Sequence, residues 1–191
     1  MDAAADFSLY VRLISGTILG LTVGKLLSGL AKFVQHPRQY RMNILHALWI
    51  FFIFGAITVF WWGEAQTFGS VEWTYPLYLF QIAYCSSYLF MTAVILPDEV
   101  SAHDGVETHY DYFISRRHWF FGALIVSHLL DLGNTVIKFG LDDFPLTADL
   151  LIFNGILFAL LLLAAAIPLR KVQVGVAVTF AVLTVLSMLL E

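Results

Sequence analysis

Two runs limit what this chain can fold into more than any other feature: Asn43 to Trp62 and Tyr75 to Leu96 contain no Asp, Glu, Lys or Arg at all. Each is about the length that crosses a hydrocarbon core of roughly 30 Å. The rest of the chain cannot cover them from water. Of 191 residues 60% are hydrophobic and 13% are charged, whereas a soluble domain carries about 25% charged residues. Four further segments of similar character run from about Phe7 to Leu30, Trp119 to Ile137, Phe144 to Leu169 and Val172 to Leu190. Backbone groups in hydrocarbon must be satisfied within their own segment, and these runs lack the alternation of a barrel strand, so helices are expected. The sequence therefore predicts an all-α, polytopic membrane helix bundle: one domain over 1–191 with six transmembrane helices at about 7–30, 43–62, 75–96, 119–137, 144–169 and 172–190.

Charge and cysteine usage exclude several classes. A net charge of −4 gives no basic footprint for nucleic acid. The lone Cys85 lies inside an apolar run, which rules out a disulfide framework and a thiolate metal site. No cationic stretch precedes the first apolar segment, so that segment is expected to stay as a span rather than leave as a signal peptide.

Orientation is read from Lys and Arg. Lys32, Arg38 and Arg41 follow span one, Arg116 and Arg117 precede span four, and Arg170 and Lys171 separate spans five and six. The alternate connections carry Glu64 with Glu72, and Asp142 with Asp143 beside Lys138. The positive-inside rule places both termini outside, with Trp61, Trp62 and Trp73 as an outer aromatic belt and Trp119 at the inner boundary. The stretch 97–117, with Asp98, Glu99, Asp104, Glu107 and Asp111, becomes an acidic cytoplasmic loop, a solvated connector or a docking segment. Three spans in each half are compatible with an inverted repeat, although no internal repeat is visible.

Phe60-Trp61-Trp62, Trp73, the run Ile95-Leu96-Pro97-Asp98-Glu99 and Tyr112-Phe113-x-x-Arg116-Arg117-x-x-Phe120-Phe121 together resemble a group of small polytopic bacterial membrane proteins. The resemblance covers the second span through the start of the fourth. It implies a multi-pass protein of a bacterial inner membrane, with no activity attached and no catalytic or binding residue to carry over.

Polar residues inside spans are the functional candidates, because charge in hydrocarbon is costly. In span one Arg12, Gly16, Gly20, Gly24 and Ser28 recur every fourth residue, a row on which small side chains let backbones approach, within the monomer or in a homodimer. Lys25 sits beside it, deep enough to need a partner or to snorkel. In span four Ser127, His128, Asp131, Asn134, Thr135 and Lys138 fall within roughly 120° of one face. Arg12 and Asp131 lie at similar depths, which suggests a pair completed by His128 and Gln81. Ser86, Ser87 and Asn154 either line a cavity or bridge helices. His46 and His118 are the one depth-matched imidazole pair, weak candidates for haem ligation, so no cofactor is expected. His36, His103 and His109 lack metal-ligand spacing.

No nucleophile with a base at a recognised spacing and no phosphate-cradling glycine loop is present, so catalysis is not the expected role. Two functions stay open: a channel or transporter for protons, small ions or solutes along the polar face of span four, or a non-transporting module that packs with a protein partner or a second copy. Lipid is a partner in either case.

The charge asymmetry makes a direct prediction. In a Cys85→Ala background, single cysteines at Gln66 and Gly140 react with an impermeant thiol reagent added to intact cells, and one at His103 does not; labelling at His103 would overturn the orientation.

Overall fold

A computed structural model describes residues 3–35, 43–69, 71–96, 109–140 and 147–190. Among these the protein is all-helical: α1 (Ala3–Gln35), α2 (Ile44–Thr67), α3 (Tyr75–Ile95), α4 (His109–Phe139), α5 (Ala148–Ala166) and α6 (Arg170–Leu190), with no strand. Each carries an apolar segment of 19 to 29 residues, which at 1.5 Å per residue crosses roughly 30 Å of hydrocarbon. This is the make-up of a multi-pass membrane protein. Asp98, Glu99, Asp104, Glu107 and His103, the basic pair Arg38 and Arg41 with His36, and Asp142 with Asp143 lie outside the described residues.

Local chemistry explains where the helices start. The Asn43 side chain accepts from Leu45 N at 3.1 Å, and the Thr147 hydroxyl from Leu150 N at 3.2 Å. Thr74 caps α3 in the same manner, with Pro76 in the first turn where a missing N–H costs nothing. Two helices exceed the apolar runs that announce them. α2 continues beyond Trp62 to Thr67, because Gly63 alone does not stop a helix and the buried face Ile53, Ile57, Phe60 continues one turn further to Glu64. α4 begins at His109, ten residues ahead of Trp119, so Asp111, Arg116 and Arg117 are helical rather than part of a loop.

The packing is a ring with a buttress. α2 lies against α3 and α6, α3 against α4, α4 against α5 and α5 against α6, which closes five helices on one another. α1 stays outside the ring, seated mainly on α3 and lightly on α2. Its buried side follows Ser15, Leu19, Thr22, Leu26, Gly29 and Phe33, alternating steps of four and three. The row expected to pack lies on another side of this helix. Gly16 meets the Trp61 ring at 3.4 Å from an ideal Cβ, but a Cβ added at Gly20 or Gly24 would meet no described atom within 4 Å outside its own helix turn, and Ser28 is exposed. A four-residue step drifts around a helix, whereas the alternating seam tracks its neighbour. Gly29 is the close approach of α1, where a Cβ would come within 3.0 Å of Leu96 Cγ. The halves are not packed alike either: α1 rests on α3, but α4 makes no comparable contact with α6, so the arrangement carries no inverted repeat among the described residues.

Trp49, fully buried, joins α2, α4 and α6 through rings centred 4.9 Å away in Phe120, 5.6 Å in Phe121 and 5.7 Å in Phe180. At the end of α5 orphan carbonyls are claimed from two neighbours. Arg117 Nε donates to Ala165 O at 2.9 Å, and Gln173 Nε2 to Ala164 O at 2.6 Å and Ile167 O at 2.8 Å. The helix can therefore end at Ala166, ahead of the exposed Pro168, with the acceptors at these positions paired.

Gly29→Leu should lower the detergent melting temperature, with overpacking costing about 1–3 kcal/mol, and Gly20→Leu should leave it unchanged. Equal shifts in the two variants would contradict the α1 seam.

Candidate functional site

Two polar groupings occupy the ring, one packed shut and one open. The closed one centres on Glu64. Its carboxylate is 2% exposed, one turn before the end of α2. Oε2 accepts from Gln81 Nε2 of α3 at 3.0 Å, and Oε1 accepts from Asn134 Nδ2 of α4 at 2.9 Å and pairs with Lys138 Nζ. Lys138 lies on the same face of α4 as Asn134, one turn further on, so both reach one oxygen. Three helices thus meet at one anion whose charge and lone pairs are both matched, the condition under which a buried carboxylate is tolerated.

The open grouping lies along the next turns of α3 and α4. The Tyr84 hydroxyl donates to Asp131 Oδ1 at 2.7 Å, and the Tyr88 hydroxyl stands 3.3 Å from that of Tyr84. The tyrosines are buried while Asp131 is exposed. Asp131 borders a cavity of about 280 Å³ walled by all five ring helices, α2 to α6, with α1 taking no part. Ser127 and His128 line it from α4, Phe60 from α2, Phe153 from α5, and Phe180 and Thr184 from α6. His128 Nε2 is 2.7 Å from Asn154 Oδ1, and Asn154 Nδ2 donates to Leu150 O at 2.8 Å. That second bond fixes the amide, so Oδ1 faces the ring and His128 donates through Nε2–H.

Several expected groupings are rearranged. Asn134 and Gln81 do meet, but on Glu64 and not around Asp131. Arg12 does not pair with Asp131, because α3 lies between α1 and α4; the guanidinium instead stands 5.3 Å from the centre of the Phe68 ring. Lys25 is half-buried on α1, outside the ring that holds both groupings. His128 bridges to Asn154 of α5 and does not share a bond with Asp131. His46 is buried edge-on to Phe113, whereas His118 is exposed beside Ser86, Ser87 and Trp119 in a groove between α3 and α4, so the two imidazoles do not converge on one pocket. No three His, Cys, Asp or Glu side chains cluster among the described residues.

Glu64, Tyr84 and Tyr88 are the members that hydropathy misses. Glu64 lies beyond the apolar run, but it is four residues past Phe60 on the core face. Gln81, Tyr84 and Tyr88 recur at three and four residues on α3, the spacing of one helix face.

No family model matches this chain, and no curated protein or solved structure matches it either. The geometry alone bears on function.

Glu64→Gln should destabilise by about 3–5 kcal/mol, since it strands the Lys138 ammonium among buried groups, and Glu64→Gln combined with Lys138→Met should recover much of that loss. Strict additivity in detergent unfolding would refute the coupling.

Proposed function

We propose that this protein is a transporter of a bacterial inner membrane, with Asp131 as its proton- or cation-binding group and His128 as a second protonatable group in the same cavity. One observation carries the proposal: the ring of five helices holds an open cavity bordered by a carboxylate, an imidazole and several hydroxyls. Ionisable groups at membrane depth are retained at a cost, and they mark ion or proton pathways. The dry Glu64 grouping has all its partners within the protein. Asp131 differs, being exposed and held by a phenol rather than by a cation.

The chemistry follows from the bonds. As a carboxylate, Asp131 accepts from Tyr84 and attracts a proton or cation from the cavity; binding neutralises it, which removes the cost of carrying the charge through hydrocarbon. Tyr84 and Tyr88 extend the polar line along α3, and their hydroxyls can exchange donor and acceptor roles. The positive-inside rule, applied to Lys32, Arg116, Arg117, Arg170 and Lys171, supports cytoplasmic connections at these residues, an orientation with both termini and the Glu64 grouping toward the exterior.

A second reading, a membrane module that associates with another helix, is favoured by the row Gly20, Gly24 and Ser28 on α1, where a Cβ added at either glycine meets no described atom within 4 Å and Ser28 is exposed.

Protein reconstituted into liposomes with an internal pH dye should dissipate an imposed pH gradient faster than empty liposomes. Asp131→Asn should return the rate to background, because an amide takes no proton and balances no cation. Wild-type flux in Asp131→Asn, or no flux in the wild type, would overturn transport through this group and leave the association module.

A further inference from the structure

The cavity is specific in what it offers besides Asp131. Six of its sixteen lining residues are Phe or Tyr: Phe52, Phe60, Tyr84, Tyr88, Phe153 and Phe180. None is lysine or arginine. The volume of about 280 Å³ is near the lower end of small-molecule pockets, about 300–1,000 Å³, and far exceeds a single dehydrated metal ion.

Each fact removes a ligand class. An anion, or a zwitterion such as an amino acid, would bring a carboxylate or phosphate into a wall that has no fixed cation for it. A bare inorganic cation needs several oxygens close around it, yet ten of the sixteen lining side chains carry none and the space is far larger than one such ion. A neutral apolar molecule would displace water from the exposed side of the carboxylate and bring no positive charge to balance it, leaving the Tyr84 hydroxyl to hold the anion. A positive nitrogen carrying an apolar body satisfies all of it. The carboxylate takes the charge, and aromatic faces attract the same charge through their quadrupoles.

We propose that this cavity binds a small lipophilic organic cation, a protonated or quaternary amine, with its nitrogen at Asp131 and the rings of Tyr84 and Phe60 and its apolar body against Phe153, Leu157 and Phe180. This names the substrate class of the site under Proposed function and rests on that reading for the step from binding to transport. Where Asp131 is protonated beforehand, the carboxyl O–H bond breaks, the proton passes to water, and the ammonium takes its place as counter-ion without any covalent bond to the ligand. Binding and proton release are then coupled one for one.

The test is equilibrium dialysis of radiolabelled benzyltrimethylammonium against the purified protein in detergent, with neopentylbenzene as the uncharged isostere. Saturable binding with one site per chain is expected, unaffected by an equal concentration of neopentylbenzene, sodium or potassium. Asp131→Asn should weaken it at least about tenfold, and Phe153→Leu, on a more exposed wall, a few-fold. Competition on the wild type requires no variant to fold, so displacement by the neutral isostere or by sodium overturns the proposal, as does the absence of saturable binding. Saturable, charge-dependent binding without proton flux supports this site and counts against transport alone. Flux without such binding removes the organic cation and leaves the transport reading in place.

Discussion

The buried carboxylate of Glu64 sets the geometry of everything below it in the ring. It lies near the carboxyl end of α2, the negative end of that helix dipole, where an anion is least welcome. Its stability there depends on Lys138, in the last turn of α4, where a cation is favoured. Gln81 and Asn134 complete the shell, so the register of α3 against α4 is tied to hydrogen bonds as well as to packing. Three residues on along α3 and three back along α4, Tyr84 meets Asp131. The two contacts are successive rungs of one antiparallel ladder, and a slip of one residue would break both. In lipid, where apolar contact between helices competes with apolar contact to acyl chains, such polar rungs specify register in a way that Leu and Phe do not.

The same ladder separates two uses of charge. At the Glu64 rung every donor and acceptor is matched inside the protein. At the Asp131 rung the carboxylate keeps one phenolic partner and one exposed side, and five helices leave space around it. The contrast arises over about one helical turn. On the α4 face, Asn134 and Lys138 look toward α2 and α3, while Ser127 and His128 border the cavity, with His128 fastened to α5 by Asn154. The ends of α5 and α6 on the other side of the molecule are pinned separately by Arg117 and Gln173.

Hydropathy is enough to find six helices, because length and apolarity are what the bilayer selects. It also places Asp131, His128, Asn134 and Lys138 on one face of α4, since periodicity within a helix follows from 3.6 residues per turn. What it cannot supply is which helices touch. Arg12 and Asp131 match in depth, but depth says nothing about the α3 helix that separates them. Beyond Gly16 the glycine row of α1 satisfies a packing motif without a close partner among the described residues, because the motif describes an opportunity and the heptad-like seam through Leu19, Leu26 and Phe33 takes it. Glu64 was hidden by its neighbours: beside Gly63 and Gln66, one carboxylate past two tryptophans reads as a loop. Only the continuation of the Ile53, Ile57 and Phe60 face shows that it points inward.

Transport and ligand binding at Asp131 both require that it face a hydrated, ligand-accepting cavity and not a dry, filled core. A cryo-electron microscopy structure in lipid nanodiscs, at a resolution that shows ordered water, tests this requirement most directly. Discrete solvent or ligand density is expected against the Asp131 carboxylate, between Tyr84, His128 and Phe153, with Glu64 still enclosed by Gln81, Asn134 and Lys138. A cavity collapsed onto Asp131, or one filled by a lipid acyl chain, would contradict it.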